Sequence, residues 1–252
     1  MRWPAEALWE RVAPQLPGFS VEILPELDST NSELMRRARA GRAEPVLLVA
    51  ESQTAGRGRM GRPWASRAGA SLTFSLGLSL APQDWSGLSL AVGVAAAEAL
   101  HPAVRLKWPN DLWVQDRKLA GILVETASLP GAQAERYTIV GIGLNIETPA
   151  DPGGYSTPPV GLAELEPGAE AGQALLRVGP AVIAALQAFE QFGFAPFQAR
   201  FQARDALADR AVRLSDGTEG TAHGVTDRGA LLVHTAGGMA AITSAEVSVR
   251  PA

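Results

Sequence analysis

The chain has 252 residues, a formal net charge of -4, 46% apolar residues and 19% charged residues. These values are typical of a globular protein with room for one medium domain and a smaller second one, and they exclude a disordered chain. No cysteine is present, which excludes disulfides, zinc–thiolate sites and cysteine nucleophiles. The three histidines are scattered, which argues against a metal centre, and the acidic balance argues against general nucleic-acid binding.

The first 27 residues predict a helix and a strand. Residues 5–16 follow Pro4 with a helical pattern, and residues 21–27 have the pattern of a strand that Pro25 interrupts. This start lacks the uninterrupted apolar core of a signal peptide, and no run of about 18 apolar residues is present to span a membrane. We therefore expect a cytoplasmic protein with no membrane partner.

A capped helix is predicted after the first strand. Asp28, Ser29, Thr30 and Asn31 are all residue types that cap helix N-termini, and Gly41 is placed to end the helix. Capping by itself accounts for Ser29 and Thr30, so the local pattern does not require a further role for them.

Residues 51–64, ESQTAGRGRMGRPW, form a loop after a predicted buried strand at 46–51. Between Gly56 and Arg62 the loop has three glycines, three arginines and no acidic residue, in a chain of net negative charge. Glycines allow backbone N–H groups to surround an anion, and the guanidinium of arginine fits phosphate or carboxylate. The loop is therefore either an anion-binding cradle or a solvated surface segment.

The middle of the chain combines strands with one buried helix. Its patterns predict a strand, an apolar helix, three strands joined by turns and a further buried strand, at residues 70–80, 87–100, 104–125 and 136–146. Lys118 opens the third of the three strands joined by turns, where it can either point into a site or extend to solvent. Gly141 and Gly143 in the last strand indicate that another group approaches its backbone closely.

The last third of the chain has a loop, two predicted helices and then a series of short strands. After a Pro/Gly-rich loop at 148–160, residues 170–192 and 195–207 predict two helices. The remainder has four or five short strands separated by glycines, which fit a small barrel. We predict two domains, 1–207 and 208–252, and expect the second to dock on the first because it is too short to be very stable alone.

Four motifs in order carry a family resemblance. The segments GRGRMGRPW, KWPNDLWVQDRKLAGIL, GIGLN and AEVSVR occur in the order and spacing seen in biotin protein ligases, the biotin–[acetyl-CoA-carboxylase] ligases. The match runs from about Leu27 to Arg250. It implies an α+β fold: a mixed-sheet catalytic domain of the biotin/lipoate ligase type, followed by a small SH3-like β-barrel. It also implies that ATP, with Mg²⁺, activates biotin to biotinyl-5′-AMP, releasing pyrophosphate. The biotinyl group then passes to a lysine of a biotin carboxyl carrier protein.

The resemblance assigns residues to the biotin side of the site. Lys118 matches the lysine that contacts the biotin carboxylate and the α-phosphate, and Gly121 matches a position where ligand lies against backbone. The residues that match contacts to the polar ureido head of biotin are Ser29, Thr30, Asn31 and Gln53. The loop that closes over biotin and the adenylate matches Gly56, Arg57, Gly58, Arg59 and Arg62.

Other residues match the nucleotide side and the chemistry. Trp64 can stack on adenine, and the side chains that can donate to phosphate or base are those of Asn110 and Asn145. Arg250 matches a residue that reaches the ATP site from the second domain. Joining two anions requires positive charge and positioning rather than a covalent nucleophile. The implied catalytic residues are Lys118, Arg59 and Asp111, with Asp111 either helping to hold magnesium or orienting the acceptor lysine.

The chain departs from the family pattern in three places. Met60 stands at a variable position where many relatives carry a basic residue. Ala245 replaces the glycine usual before Glu246, which affects how Arg250 is delivered. About 20 residues precede the first matched strand, too few for the helix-turn-helix of relatives that also repress transcription, so we expect a monofunctional ligase that does not bind DNA.

Two other functions compete with this interpretation. A lipoate or octanoyl transferase resembles biotin ligases in fold and also modifies a carrier lysine, although the GRGRMGR loop and the KWPND segment favour biotin. A nucleic-acid or anion-binding module would use the basic loop alone and predicts salt-sensitive binding. Relatives often dimerise through the central sheet, so a homodimer is a further expectation.

Overall fold

The computed structural model describes residues 2–129, 134–150, 157–243 and 249–251. The α-helices are α1 (Ala5–Val12), α2 (Thr30–Arg39), α3 (Leu88–Leu100), α4 (Ala171–Phe192) and α5 (Ala195–Gln202). The strands of the larger sheet are β1 (Ser20–Leu27), β2 (Val46–Gln53), β3 (Ser71–Leu80), β4 (Arg105–Lys107), β5 (Asp111–Val114), β6 (Arg117–Ser128) and β7 (Arg136–Asn145). The strands of the smaller sheet are β8 (Ala211–Leu214), β9 (Glu219–Val225), β10 (Leu231–Thr235), β11 (Gly238–Ile242) and β12 (Val249–Pro251).

The larger sheet is mixed and is covered by helices on both faces. Its strand order is β1-β2-β3-β7-β6-β5-β4, with β1 and β2 parallel and the other neighbours antiparallel. Alternate residues of β2 belong to opposite cores: Leu47 lies in the core that includes residues of α1, α3 and α4, whereas Leu48 lies in the core that includes residues of α2. Burial on both faces explains why the strands in the middle of this sheet are so rich in apolar residues.

The first strand and the first helix differ from their predicted extents. β1 runs without a break through Pro25, because β1 is the terminal strand of the sheet and a missing N–H can face away from the ladder. The first helix ends at Val12 rather than at residue 16, and Pro14 explains this end because it has no N–H with which to continue the helical bonding.

The fifth helix is also shorter than predicted, since it ends at Gln202 and not at residue 207. The chain after it pairs with the edge of β4 instead. The N–H of Leu106 donates to the carbonyl of Arg204 at 2.8 Å, and the N–H of Ala206 donates to the carbonyl of Leu106 at 2.9 Å. The backbone groups of residues 204–206, which the local pattern assigned to a helix, therefore pair with β4.

Helix α4 bears on the expectation that no segment spans a membrane. Its 22 residues are long and apolar enough, by length and composition, to cross a membrane. More than half of its most apolar 18-residue window is buried inside the protein, where it packs against α1, α3 and β3. Its apolar composition is therefore that of a core helix.

The smaller sheet is antiparallel, in the order β11-β10-β9-β8-β12, and forms the SH3-like C-terminal domain. It docks on the larger sheet at the KWPND turn: the Nε1–H of buried Trp108 donates to the carbonyl of Gly229 at 3.1 Å. A salt bridge between Arg228 and Asp84 (2.6 Å) lies nearby. The predicted α+β fold is confirmed, and the docking brings the end of the second domain toward the first.

Candidate active site

A cleft of about 890 Å³ opens where the Gly/Arg loop, strands β3 to β7 of the larger sheet, and β12 meet. Every site residue expected from the sequence lines this cleft, with the exception of Gly56. A Cβ atom on Gly56 would lie 2.4 Å from the carbonyl oxygen of Trp64, so this glycine allows two backbone segments to pack beneath the loop. Residues far apart in the chain thus converge on one site.

One end of the cleft is lined by buried polar groups from the start of α2. Ser29, Thr30 and Asn31 are each no more than 4% exposed. Ser29 does cap the helix, because its Oγ accepts the N–H of Ser32 at 3.4 Å. The backbone N–H of Thr30 donates to Oε1 of Gln53 at 2.8 Å, which fixes the orientation of that amide. Capping and a place in the cleft are therefore compatible roles for this segment.

Lys118 points into the cleft and does not extend to bulk solvent. Its Nζ lies 2.8 Å from Oδ1 of Asp111, and its side chain is 30% exposed. Its backbone is held on both sides, since its N–H donates to the carbonyl of Pro158 at 2.8 Å and its carbonyl accepts the N–H of Val160 at 3.0 Å. The start of β6 is thus fixed, and the ammonium is presented at the centre of the site.

A second lysine, Lys107, lies in the same cleft and was not assigned from the sequence. It faces Asp111 in the pairing of β4 with β5, and its Nζ lies 5.7 Å from the ring centroid of Trp113. Burial lowers the pKa of Lys107 to about 8, although Asp111 opposes the shift. The chain has only two lysines, Lys107 and Lys118, and both line the cleft. The sequence has twenty arginines but two lysines, and this contrast could have singled out Lys107 as a candidate site residue.

The Gly/Arg loop is attached to the body of the protein by its arginines. Nη2 of Arg57 lies 3.1 Å from Oγ of Ser32 and 3.4 Å from Oε2 of Glu125. Nη1 of Arg59 donates to Oδ1 of Asn110 at 3.3 Å, and burial lowers the pKa of Arg59 from its ordinary value. The loop therefore folds over the cleft with two cations directed toward its lining.

Trp64, which follows the loop, lies flat against backbone in the cleft. A Cβ atom on Gly143 would lie 2.3 Å from the Trp64 ring, so only glycine leaves room for the indole there. Nζ of Lys118 lies 5.6 Å from the ring centroid, which is a cation–π distance. The indole Nε1 is buried and has no hydrogen-bond partner among the described residues.

The two asparagines expected on the nucleotide side already use donors within the protein. Nδ2 of Asn145 donates to the carbonyls of Lys118 and Val160, both at 3.2 Å. In this arrangement Asn145 braces the strand that carries Lys118 and has only its Oδ1 left for a ligand. Nδ2 of Asn110 donates to the carbonyl of Ile122 at 2.9 Å. The expected donation by Asn145 to phosphate or base therefore does not fit its contacts.

The smaller sheet contributes cations to the mouth of the cleft. Arg250 of β12 lines it, as expected, and so does Arg210, which was not predicted and which pairs with Asp116. Ala245, the departure noted before Arg250, lies outside the described residues. The mouth therefore combines positive groups from both sheets.

The cleft offers a single carboxylate near its centre rather than a metal-binding cluster. Within the described ranges, no group of three or more histidine, aspartate or glutamate side chains is placed to hold a metal ion. Asp111 would have to hold a cation together with groups of a ligand. This matches the way Mg²⁺ is commonly bound, through one or two carboxylates and the phosphates of a substrate.

The sequence matches two families. Residues 24–145 match the Biotin/lipoate A/B protein ligase family, and residues 209–250 match the Biotin protein ligase C terminal domain. The bifunctional ligase/repressor BirA of Escherichia coli is 37% identical over 96% of this chain and 78% of its own length. The chain belongs to the biotin protein ligases.

Other biotin protein ligases agree over nearly the whole chain. The biotin–[acetyl-CoA-carboxylase] ligase of Paracoccus denitrificans is 35% identical over 89% of this chain and 98% of its own length. The biotin protein ligase of Aquifex aeolicus, solved in complex with biotin and ATP, has a TM-score of 0.77 and 30% identity. That likeness covers 92% of this chain and 99% of the Aquifex chain. The fold expected for a biotin protein ligase is thus present in both sheets.

Proposed function

We propose that this biotin protein ligase joins biotin to ATP as biotinyl-5′-AMP and then transfers the biotinyl group to a lysine of a biotin carboxyl carrier protein. The observation that carries the proposal is the position of Lys118. Its ammonium lines the same cleft as the buried polar side chains of Thr30 and Asn31 and a set of arginines. A ligand with a polar ring, a carboxylate and a phosphate would find matching groups for all three within this cleft.

The first step needs positive charge more than it needs a nucleophile from the protein. A carboxylate oxygen of biotin attacks the α-phosphorus of ATP, the bond to the β-phosphate oxygen breaks, and pyrophosphate leaves. In this proposal Lys118 and Arg59 shield the two approaching anions and the charge that develops on the phosphorus oxygens. Arg57, Arg62, Arg210 and Arg250 add cations around the nucleotide and the leaving group.

The second step is an acyl transfer to an amine. The nitrogen of the acceptor lysine attacks the carbonyl carbon of the anhydride, the bond to the phosphate oxygen breaks, and AMP leaves as the nitrogen loses a proton. Asp111 is the carboxylate beside the reacting atoms in this arrangement. It would orient the incoming ammonium or amine once Lys118 has turned to the phosphate.

Asp111 is also the side chain that would hold Mg²⁺. Bound there with the phosphates, the ion would neutralise charge on the leaving pyrophosphate. The same carboxylate would then serve the metal in the first step and the acceptor amine in the second. The two roles are compatible because pyrophosphate leaves before the carrier lysine arrives.

The remaining roles are supported by the family resemblance and by the residues that line the cleft. Ser29, Thr30, Asn31 and Gln53 receive the ureido head of biotin, Gly121 lies beneath the ligand, and Trp64 supplies an aromatic face for adenine. The proposal includes the division into residues 1–207 and 208–252, with Arg250 delivered by the second part. It also includes a cytoplasmic location, where ATP and the carrier would meet the enzyme. Dimerisation through the larger sheet stays a prediction.

ATP-dependent transfer of labelled biotin to a purified carrier domain tests the proposal. The wild-type enzyme should label the carrier only with ATP and Mg²⁺, and lipoate offered under the same conditions should not be transferred. A lipoate ligase of the same fold would give the opposite preference. Labelling that persists without ATP, or efficient transfer of lipoate, would overturn the proposed function.

A further inference from the structure

A buried hydroxyl lies behind the polar end of the cleft and contacts two of its residues. Oγ of Ser75, in the middle of β3, lies 2.6 Å from Oγ1 of Thr30 and 2.6 Å from Oδ1 of Asn31. Ser75 is fully buried and does not line the cleft itself. It can therefore affect a ligand only through the two residues that it contacts.

The orientation of the Asn31 amide is fixed by its other contacts. Its Nδ2 donates to the carbonyl of Leu123 at 3.2 Å and to Oε2 of Glu125 at 2.8 Å. A flipped amide would place Oδ1 against these two acceptors, so the orientation is decided by the surroundings. A Cβ atom on Gly141 would lie 2.2 Å from Oδ1, which shows that the amide also fills the space over that glycine.

The direction of each proton in the group follows from this orientation. Oδ1 of Asn31 cannot donate, so the single proton of the Ser75 hydroxyl must point to it. Ser75 then has no proton left for Thr30, and the Thr30 hydroxyl must donate to Ser75. Oε1 of Gln53 also lies 3.2 Å from the Thr30 hydroxyl, but it already accepts the backbone N–H of Thr30 at 2.8 Å and does not need the hydroxyl proton, whereas the 2.6 Å contact with Ser75 does. The free lone pairs of Thr30 Oγ1 and Asn31 Oδ1 are left as acceptors.

We propose that Ser75 is a positioning residue that determines specificity: it fixes Thr30 and Asn31 as a pair of acceptors, and so selects ligands whose ring carries N–H donors. This inference rests on the proposed function, in which the cyclic urea of biotin occupies this end. The urea has two N–H groups to offer. The dithiolane ring of lipoate has none, and it would leave both buried acceptors without a partner. A site built on hydrogen bonds rejects such a ligand far more strongly than an apolar pocket would.

The test compares biotin with a biotin derivative methylated on one ureido nitrogen, which has lost one N–H. For each ligand, KM and kcat are measured by biotin-dependent pyrophosphate exchange. Ser75→Ala should raise the KM for biotin about tenfold, the effect of one hydrogen bond to a buried group, and leave kcat within about twofold. It should also lower the preference for biotin over the methylated derivative by about fivefold, because the acceptors are no longer fixed.

Two further variants separate positioning from general damage. Ser75→Thr keeps the hydroxyl and should retain the wild-type preference. Thr138→Val removes a buried hydroxyl from the neighbouring strand β7, outside the cleft, and should change neither KM nor the preference. If Ser75→Ala does not fold, Ser75→Cys carries the test, since a thiol fills the same space but donates only weakly and should lower the same preference.

The outcomes distinguish this inference from the proposed function. If the wild-type enzyme shows no exchange with biotin, the proposed function fails and this inference fails with it. If the wild-type enzyme is active but Ser75→Ala affects both ligands equally, or lowers kcat alone, only the role of Ser75 is overturned.

Discussion

Nζ of Lys118 lies 2.8 Å from Oδ1 of Asp111, so the central ammonium of the cleft has a carboxylate partner within the protein. Both residues belong to one antiparallel hairpin formed by β5 and β6, which places them on adjacent strands. A ligand phosphate or carboxylate would compete with Asp111 for the same cation. This salt bridge therefore links the binding of substrates to the position of Asp111, the residue expected to serve in both adenylation and transfer.

Removing the ammonium should abolish activation while the fold persists. Lys118→Ala is expected to lower the rate of biotinyl-AMP formation at least about 100-fold, the typical loss when one group that stabilises transition-state charge is removed. Formation of the adenylate is measured directly, and circular dichroism checks the fold. Lys118→Arg keeps the charge with a different geometry and should recover only part of the rate. Adenylate made by Lys118→Ala at near the parent rate would disprove the assignment.

Lys107 should titrate at about pH 8. Burial lowers its pKa to about 8 in the folded protein, below the ordinary value of 10.5. The folded state therefore binds fewer protons than the unfolded state between these pH values, and the contribution of Lys107 to stability should rise as the pH increases from about 8 to 10.5. Because the chain has two lysines, NMR of labelled lysine side chains should show two signals.

The Lys107→Met variant assigns the signals and serves as the reference for stability. Binding of an anionic adenylate analogue should raise the midpoint of the Lys107 signal, since a nearby negative charge favours the ammonium. A midpoint that stays at the ordinary lysine value in the free protein would contradict the buried position of this amine.

Gly143→Ala should displace Trp64 from the cleft. The added Cβ would lie 2.3 Å from the indole, which cannot remain in place. We expect weaker binding of ATP, about tenfold by KM, if the indole supplies the adenine face as proposed. Tryptophan fluorescence should also shift as the ring becomes exposed. Gly237→Ala is a matched control, because the nearest atom to its added Cβ lies at an ordinary 3.7 Å. An unchanged KM for ATP in Gly143→Ala would remove Trp64 from the nucleotide site.

The Gly/Arg loop should become protected when the adenylate forms. Its arginines are natural trypsin sites, and in the free protein the loop is tied to the body by contacts such as that between Arg57 and Glu125. We expect cleavage after Arg57 and Arg59 to slow at least about tenfold when biotinyl-AMP is bound, because proteolysis follows the population of the open loop. Cleavage after the exposed Arg213 and Arg228 of the smaller sheet provides the internal reference. Equal rates at the loop with and without ligand would count against its role as a cover.

Much of the fold was predictable from local patterns. The strands of the larger sheet and helices α2, α3 and α4 have clear periodicity and end residues, and they lie where expected within a few residues. The ends of α1 and α5 were wrong because Pro14 stops one helix, and a partner strand, β4, takes the backbone of residues 204–206 from the other. Boundaries of this kind depend on contacts between distant segments.

The sequence by itself determined the chemical inventory of the site. The GRGRMGRPW and KWPND motifs bring arginines, a tryptophan, asparagine and aspartate, and their order along the chain identifies the family. The sequence could not decide whether Lys118 enters the cleft or extends to solvent, because both conformations suit a lysine at the start of a strand.

Only the tertiary structure decided which groups face one another. It placed Lys118 against Asp111 and the partly buried Lys107 opposite Asp111, and it used the amide of Asn145 to brace the backbone of Lys118. It also placed Ser75 behind Thr30 and Asn31, where a hydroxyl with no pattern of its own fixes the direction of two hydrogen bonds. These relationships depend on strand register and side-chain packing between segments far apart in sequence, which local residue preferences do not encode.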